Sequence, residues 1–278
     1  MILLVIGKIQ RAREIHRKDG IYTLISKSSS YLRRKIYVQF WLIYYNIKSA
    51  TFGDQIISID NVLIDLEGDV LSPAMKKELR KKRYENAEKE IIKTHIHSNL
   101  PTIDLGAGVG YTACLVDRET NDPTPVIAVE ANKSLIPVIR RTKALNKSNF
   151  NIHYSAYDSS NDSVEFQIGE DFWLSSQYNR EGRKQNKVTV PAISLSGIIK
   201  KYDLEKPIQM IVDIEGGEHD LIVNEYKKLQ SEISLIIFEY HPFVENNFDY
   251  YDEILVENGF KFVESRGDVY VYQNTKLS

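Results

Sequence analysis

The sequence predicts a doubly wound α/β domain: a mostly parallel sheet of seven strands with helices on both faces, preceded by an N-terminal helical and strand-like extension. Three observations predict it. Short β-branched runs alternate with helix-length segments from Pro101 onward. A glycine-rich turn joins the first of these runs to the first helix. Two later runs, Ile208 to Ile214 and Leu235 to Tyr240, are apolar almost throughout, the pattern of strands covered on both faces.

In chain order, Ile6, Ile9, Ala12 and Ile15 recur at helical spacing, with Arg11, Arg13, Arg17 and Lys18 elsewhere around the helix. Asp19-Gly20 ends that helix, and a second basic one is expected from about Ile21 to Lys35. Residues 37–66 read as strands, broken at Gly53-Asp54 and at Asp60-Asn61. Ser72-Pro73 opens a charged helix expected to reach about His95. Strands follow at Thr102 to Leu105, Val126 to Glu130 and Asn151 to Ala156, with a helix from about Ser134 to Asn146. Val164 to Ile168 and Val188 to Leu195 look like extra strands flanking a polar insertion at 175–187. Phe260 to Val263 and Val269 to Tyr272 close the sheet as a hairpin around Arg266-Gly267-Asp268. The organisation expected is a basic extension over 1–70 and the α/β domain over 71–278.

Charge is unevenly distributed. The net charge of −2 hides a +8 segment at residues 1–50, so the remainder of the chain is strongly acidic. A basic amphipathic arm suggests peripheral contact of residues 1–35 with an anionic membrane, while a solvated helical face is the plain alternative. The apolar opening from Met1 to Ile6 is too short for a secretory core, and Ile36 to Ile47 is too short to span a bilayer. The single Cys114 excludes an intramolecular disulfide and suits a reducing compartment. A cytoplasmic protein, at most peripheral at the inner face of the membrane, is expected.

The chemistry gathers at predicted strand ends. Asp104-Leu105-Gly106-Ala107-Gly108-Val109-Gly110 places glycines where the backbone must turn tightly and approach a ligand. The spacing is Gly-x-Gly-x-Gly, not the Gly-x-Gly-x-x-Gly of dinucleotide folds. Asp104 is a poor neighbour for a pyrophosphate and a good one for an ammonium or sulfonium. Glu130 ends the next strand, where a carboxylate accepts hydrogen bonds from ribose hydroxyls. Together they point to a nucleoside-type ligand, with Ala156 and Asp158 expected at the adenine edge. Asp213 and Glu215 after the fourth strand, and Glu239 and His241 after the fifth, sit two apart and are expected to converge above the sheet. Arg180 and Arg183, in the polar insertion, are expected to bind an anionic acceptor.

The Asp104–Gly110 loop, Val126–Glu130, the helix with Arg83-Tyr84-Glu85 and Glu88, and Asp213-Ile214-Glu215-Gly216-Gly217-Glu218 together resemble the FkbM-type methyltransferases, over roughly residues 70–245. The resemblance implies a class I methyltransferase-like fold, S-adenosylmethionine (SAM) as cofactor with Glu85 beside it, and O-methylation of a sugar, a glycan or another small hydroxylated metabolite. This chain has Ser at 159 and 196, near positions where the family commonly carries Asp. A hydroxyl needs a base, and His241, with an ordinary pKa near neutrality, fits that role, with Asp213 or Glu215 orienting it or serving instead. A metal held by Asp213, Glu215, Glu239 and His241 is conceivable but is not the expectation. A nucleic-acid acceptor is not expected, because the segment after the fourth strand lacks the Asn/Asp-Pro-Pro-aromatic turn of nucleobase amino-methylation. An RNA-directed methyltransferase and a non-catalytic SAM-binding module remain the alternative readings.

Overall fold

The computed structural model describes residues 55–81, 84–168, 186–214, 216–241 and 248–277. The expected basic helices before residue 36, Arg83, the insertion with Arg180 and Arg183, and Glu215 lie outside the described residues. Strands β1 (Ile56–Ile59) and β2 (Val62–Asp65) form an antiparallel hairpin, its turn at Asp60-Asn61 where both residues have positive φ. Helices α1 (Pro73–Arg80) and α2 (Asn86–His95) follow. The alternating core then runs β3 (Thr102–Leu105), α3 (Tyr111–Glu119), β4 (Val126–Glu130), α4 (Ile136–Asn146) and β5 (Asn151–Tyr154). Strands β6 (Ala156–Tyr157), β7 (Ser163–Ile168) and β8 (Asn186–Ile193) come next, then α5 (Leu195–Tyr202) and β9 (Ile208–Val212). A π-helical turn (Asp220–Asn224) and α6 (Tyr226–Glu232) lead to β10 (Ile233–Glu239), α7 (Phe248–Glu257), β11 (Phe260–Arg266) and β12 (Val269–Asn274).

The central sheet has seven strands in the order β11-β12-β10-β9-β3-β4-β5. It is parallel except for β12, which runs antiparallel to β10 and β11. The expected extra strands leave this sheet: β6 pairs with β8 in parallel and β7 with β8 antiparallel, giving a separate three-stranded sheet. The third expected strand is split accordingly, with Asn151–Tyr154 in the main sheet and Ala156–Tyr157 in the small one.

Side chains alternate across the main sheet and feed two apolar layers. Ala128, Ile211, Leu235 and Ile237 face the layer built with α1 to α4, whereas Ile127, Val129, Met210, Val212, Ile236 and Phe238 face the layer with α5 to α7. The hairpin belongs to the first layer. Val62 and Ile64 are buried there, and Asn146, fully buried, accepts a hydrogen bond from Leu63 N at 2.9 Å and donates to Leu63 O at 2.8 Å. Arg118 adds bonds to the backbone oxygens of Asp60 and Asn61.

The helix expected to run unbroken from Pro73 to about His95 is interrupted. Ser72 caps α1, its Oγ accepting from Met75 N, but Glu85 adopts a left-handed conformation (φ 50°) and α2 starts afresh behind it. No Gly or Pro marks this break. Tertiary contacts override a helix-forming sequence, because Tyr84 packs edge-on against Tyr111 at the glycine turn, with ring centroids 5.7 Å apart.

Strand order reverses between β3 and β9, the switch point at which open α/β sheets bind ligands. The chain is tightest here. Gly106 (φ +88°) lies so close to β9 that an added Cβ would stand 1.7 Å from the carbonyl oxygen of Asp213. Gly106→Ala should therefore lower unfolding stability by about 3 kcal/mol in urea titrations. Gly267→Ala, also at positive φ but in open space, should cost only about 1–2 kcal/mol. Equal effects would mean that conformation, not the approach of β9, dictates glycine at 106.

Candidate functional site

Asp104 and Glu130 stand on adjacent parallel strands, β3 and β4, and both are buried. Past β3 the turn through Gly106, Ala107 and Gly108 ends at Gly110, which has φ +80° and starts α3. Glu130 closes this turn: its Oε2 accepts from Gly108 N at 2.8 Å and its Oε1 from Asn132 N at 2.7 Å. Burial pushes the Glu130 carboxyl up to about 7 despite those bonds. Burial, reinforced by the negative charge of Glu130, likewise raises Asp104 to about 7. Asp104 Oδ2 is buried without a hydrogen-bond partner. Beyond β5, Ala156 is buried, and Asp158 Oδ1 accepts from Ser160 N and from Asn161 N and Nδ2. One oxygen of Asp158 thus shapes its own loop.

The second half of the site gathers after β9 and β10. Asp213 and His241, just past the two strand ends, lie beside Glu239. His241 Nε2 stands 3.6 Å from Asp213 Oδ1 and 4.0 Å from Glu239 Oε1. The other ring nitrogen, Nδ1, is 2.7 Å from Glu218 Oε1. Glu218 is 2% exposed, so this carboxylate fixes the ring from behind. No role for Glu218 was apparent from composition or periodicity. Its signal in the sequence is its place as the last residue of the Asp213–Glu218 element, which the turn at Gly216-Gly217 folds back beneath the ring.

The helix break supplies a wall. Tyr84 donates to Glu85, and burial, then the charges of Glu85, Asp213 and Glu88, pushes the Tyr84 phenol well above its ordinary range. Burial, then the like charges of Glu88, Asp213 and Glu239, holds the Glu85 carboxyl well above the usual carboxylate range, opposed by the bond from Tyr84. Two trios bring ligand atoms within 4.8 Å of one another: Asp213 with Glu239 and His241, and Glu85 with Glu88 and Glu239.

The segment behind this wall is pinned to the small sheet. Asp220 accepts from Ser159 N at 2.6 Å and Ser159 Oγ at 2.7 Å, and Glu225 accepts from Tyr157 and from Leu195 N. Ser159 has a defined task in this chain, that of tying the loop after β6 to the π-helical turn.

Residues 104–262, more than half of the chain, match the family described as the methyltransferase FkbM domain. The chain belongs to that family. Its activity is SAM-dependent methyl transfer, as the family dictates. One feature of the structure fits the cofactor: the orphaned, buried Asp104 Oδ2 offers an anionic acceptor to a cationic group. A comparison with curated proteins finds no match. Similar solved structures include the precorrin-6y C5,15-methyltransferase of Geobacter metallireducens (15% identity, 66% of this chain and 84% of that one, TM-score 0.40). A protein of the NADB-Rossmann superfamily from Streptococcus agalactiae is 12% identical, with 67% of each chain covered and a TM-score of 0.41. A putative tRNA (m1A22) methyltransferase of Streptococcus pneumoniae, in complex with S-adenosyl-L-methionine, is 13% identical (67% and 71% covered, TM-score 0.40). Among the described residues of the methyltransferase, no helix is long and apolar enough to cross a membrane.

The raised carboxyls give the methyltransferase a pH dependence with a definite sign. Both groups are protonated in the free protein below about pH 7, whereas a cationic ligand and ribose hydroxyls call for the ionised forms. SAM affinity should climb as pH rises through 6–8, with protons released on binding, seen by calorimetry in buffers of different ionisation enthalpy. Asp104→Asn should weaken SAM binding and flatten the slope. Since the folded protein holds these protons above the pH at which the unfolded chain loses them, stability of the free protein should fall as pH rises from about 4 to about 7. A SAM affinity that is independent of pH would remove Asp104 and Glu130 from the cofactor site.

Proposed function

We propose that the methyl acceptor is a hydroxyl oxygen of a sugar, a glycan or a similar polyhydroxylated small molecule. The observation that supports this is the clamped His241, whose Nδ1 faces the buried Glu218 while Nε2 looks toward Asp213 and Glu239 at the mouths of β9 and β10. SAM, when bound, supplies a methyl group on a sulfonium that leaves as a neutral thioether. The protein's own work is to hold the acceptor oxygen in line and to draw off its proton, which an already anionic or a readily methylated nucleophile would not require. Asp213, Glu239 and His241 form the group to which that proton removal falls. Glu218 is a positioning residue, keeping the ring in one tautomer and orientation. Asp104, Glu130 and the glycine turn hold the donor on the β3 side of the switch point. Glu88, Asp213 and Glu239 give this rim a negative character, which disfavours an anionic acceptor. An anionic acceptor bound through Arg180 and Arg183 is the second reading.

The test is mass spectrometry of products from a panel of neutral glycosides and matched uronic acids, followed by steady-state kinetics on the best acceptor. His241→Gln should lower kcat about 10²- to 10⁴-fold while SAM affinity stays unchanged. Glu218→Gln should lower kcat less and shift the acid limb of the pH–rate profile. A methyl ester product with His241→Gln nearly silent would replace the hydroxyl reading by a carboxylate one.

A further inference from the structure

The arrangement around His241 raises a question of charge. A carboxylate on Nδ1 makes that nitrogen the donor, so in the neutral ring the Nε2 lone pair points into the site. It points at Asp213 Oδ1 and Glu239 Oε1, at 3.6 and 4.0 Å. Nε2, Asp213 Oδ1 and Glu239 Oε1 thus offer three ligand atoms about a common point, all within 4.8 Å of one another, and either a protonated ring or a bound cation balances the negative charge gathered there. Behind the ring, Glu218 is 2% exposed, its Oε1 stands 2.7 Å from Nδ1, and its Oε2 is buried with no hydrogen-bond partner. A carboxylate behind one imidazole nitrogen with the other turned to open ligand atoms is the arrangement in which histidine binds metal.

We propose that Asp213, Glu239 and His241 Nε2 hold one divalent cation of the Mg²⁺/Mn²⁺ class, with Glu218 as the positioning residue behind the histidine. Two carboxylates and one imidazole suit this class. The chain's single thiol, Cys114, is buried on α3, and methyl transfer demands no redox change. A cation about 2.1 Å from each ligand sets neighbouring ligands about 3 Å apart. The three ligand atoms, all within 4.8 Å of one another, reach that spacing by side-chain rotation, Asp213 and Glu239 being about one-third exposed.

The inference rests on the hydroxyl reading and deepens it by saying how the cluster removes the proton. A hydroxyl that the cation coordinates becomes more acidic. Its proton leaves to water, the oxygen bonds to the methyl carbon, and the carbon–sulfur bond breaks with its electron pair going to sulfur. The remaining coordination positions also favour an acceptor with two neighbouring hydroxyls.

The experiment is titration of the chelator-treated full-length protein with Mn²⁺, following the free-ion signal by electron paramagnetic resonance, with Mg²⁺ as competitor. One equivalent should bind, and Mg²⁺ should displace it. Asp213→Asn and His241→Gln should weaken Mn²⁺ binding at least about tenfold, and Glu218→Gln about 10- to 100-fold. Glu264→Gln, which removes the carboxylate of the separate surface pair with His95 (2.6 Å), should bind as the parent does and serves as the control. Retained calorimetric binding of the demethylated cofactor product shows that each variant is folded. Absence of stoichiometric Mn²⁺ binding, or unchanged binding in Asp213→Asn and His241→Gln, overturns the proposal. If chelator-treated protein still methylates hydroxyls in a His241-dependent manner, the metal site falls while the hydroxyl reading stands. If Mn²⁺ binds as described but the products are methyl esters, the reverse holds.

Discussion

The contact between Gly106 and the carbonyl of Asp213 governs the placement of everything else in this protein. β3 and β9 run side by side and diverge only past their ends, and the space between them admits a hydrogen atom where any other residue would bring a carbon to 1.7 Å. One strand continues into the glycine turn that Glu130 closes. The other continues into Asp213 and on to the turn that delivers Glu218 under His241. On the proposed function, donor and acceptor meet at this one seam, and the backbone contact that joins β3 to β9 contributes to the in-line geometry that methyl transfer requires.

Around that seam the structure gathers an unusual density of carboxylates. Asp104 and Glu130 lie on the cofactor side; Glu85, Glu88, Asp213, Glu218 and Glu239 lie on the other. Burying like charges at such spacing is unfavourable unless protons or cations offset them. Burial raises the carboxyls of Asp104, Glu130 and Glu85, and neighbouring negative charge adds to the rise at Asp104 and Glu85. A site of this kind is at rest when filled by positive charge, which suits a sulfonium donor on one side and a divalent ion on the other.

Much of this was legible in the sequence, and the unread portions share a cause. The strands from Thr102 onward, the glycine turn and the pairing of Asp213 with Glu239 and His241 all follow from local periodicity and from residues at strand ends, because buried parallel strands permit few alternatives. The break at Glu85 was not legible, since Arg80, Lys81, Asn86 and Ala87 are compatible with continuous helix and the docking of Tyr84 on Tyr111 is a tertiary contact. The separation of β6, β7 and β8 from the main sheet was equally hidden, because pairing between segments is a tertiary choice. Glu218 stood in the Asp213–Glu218 element, but its partner is 23 residues away in sequence and nothing local announces the contact.

The position of β3 has a consequence for how the chain is made. Its two neighbours in the sheet are β4, which follows at once, and β9, which ends at Val212. At synthesis rates of about 5–20 residues per second, the stretch between Leu105 and Val212 takes roughly 5–20 s to emerge. For that time Thr102–Leu105 lacks its partner on the β9 side and presents an unpaired edge of the sort that recruits foreign strands. The hairpin, already synthesised, covers one face of the growing layer through Asn146 and Arg118 but does not reach that edge. The ribosome-bound chain is thus open along the line that later carries the proposed site, and the approach of β9 seals that edge.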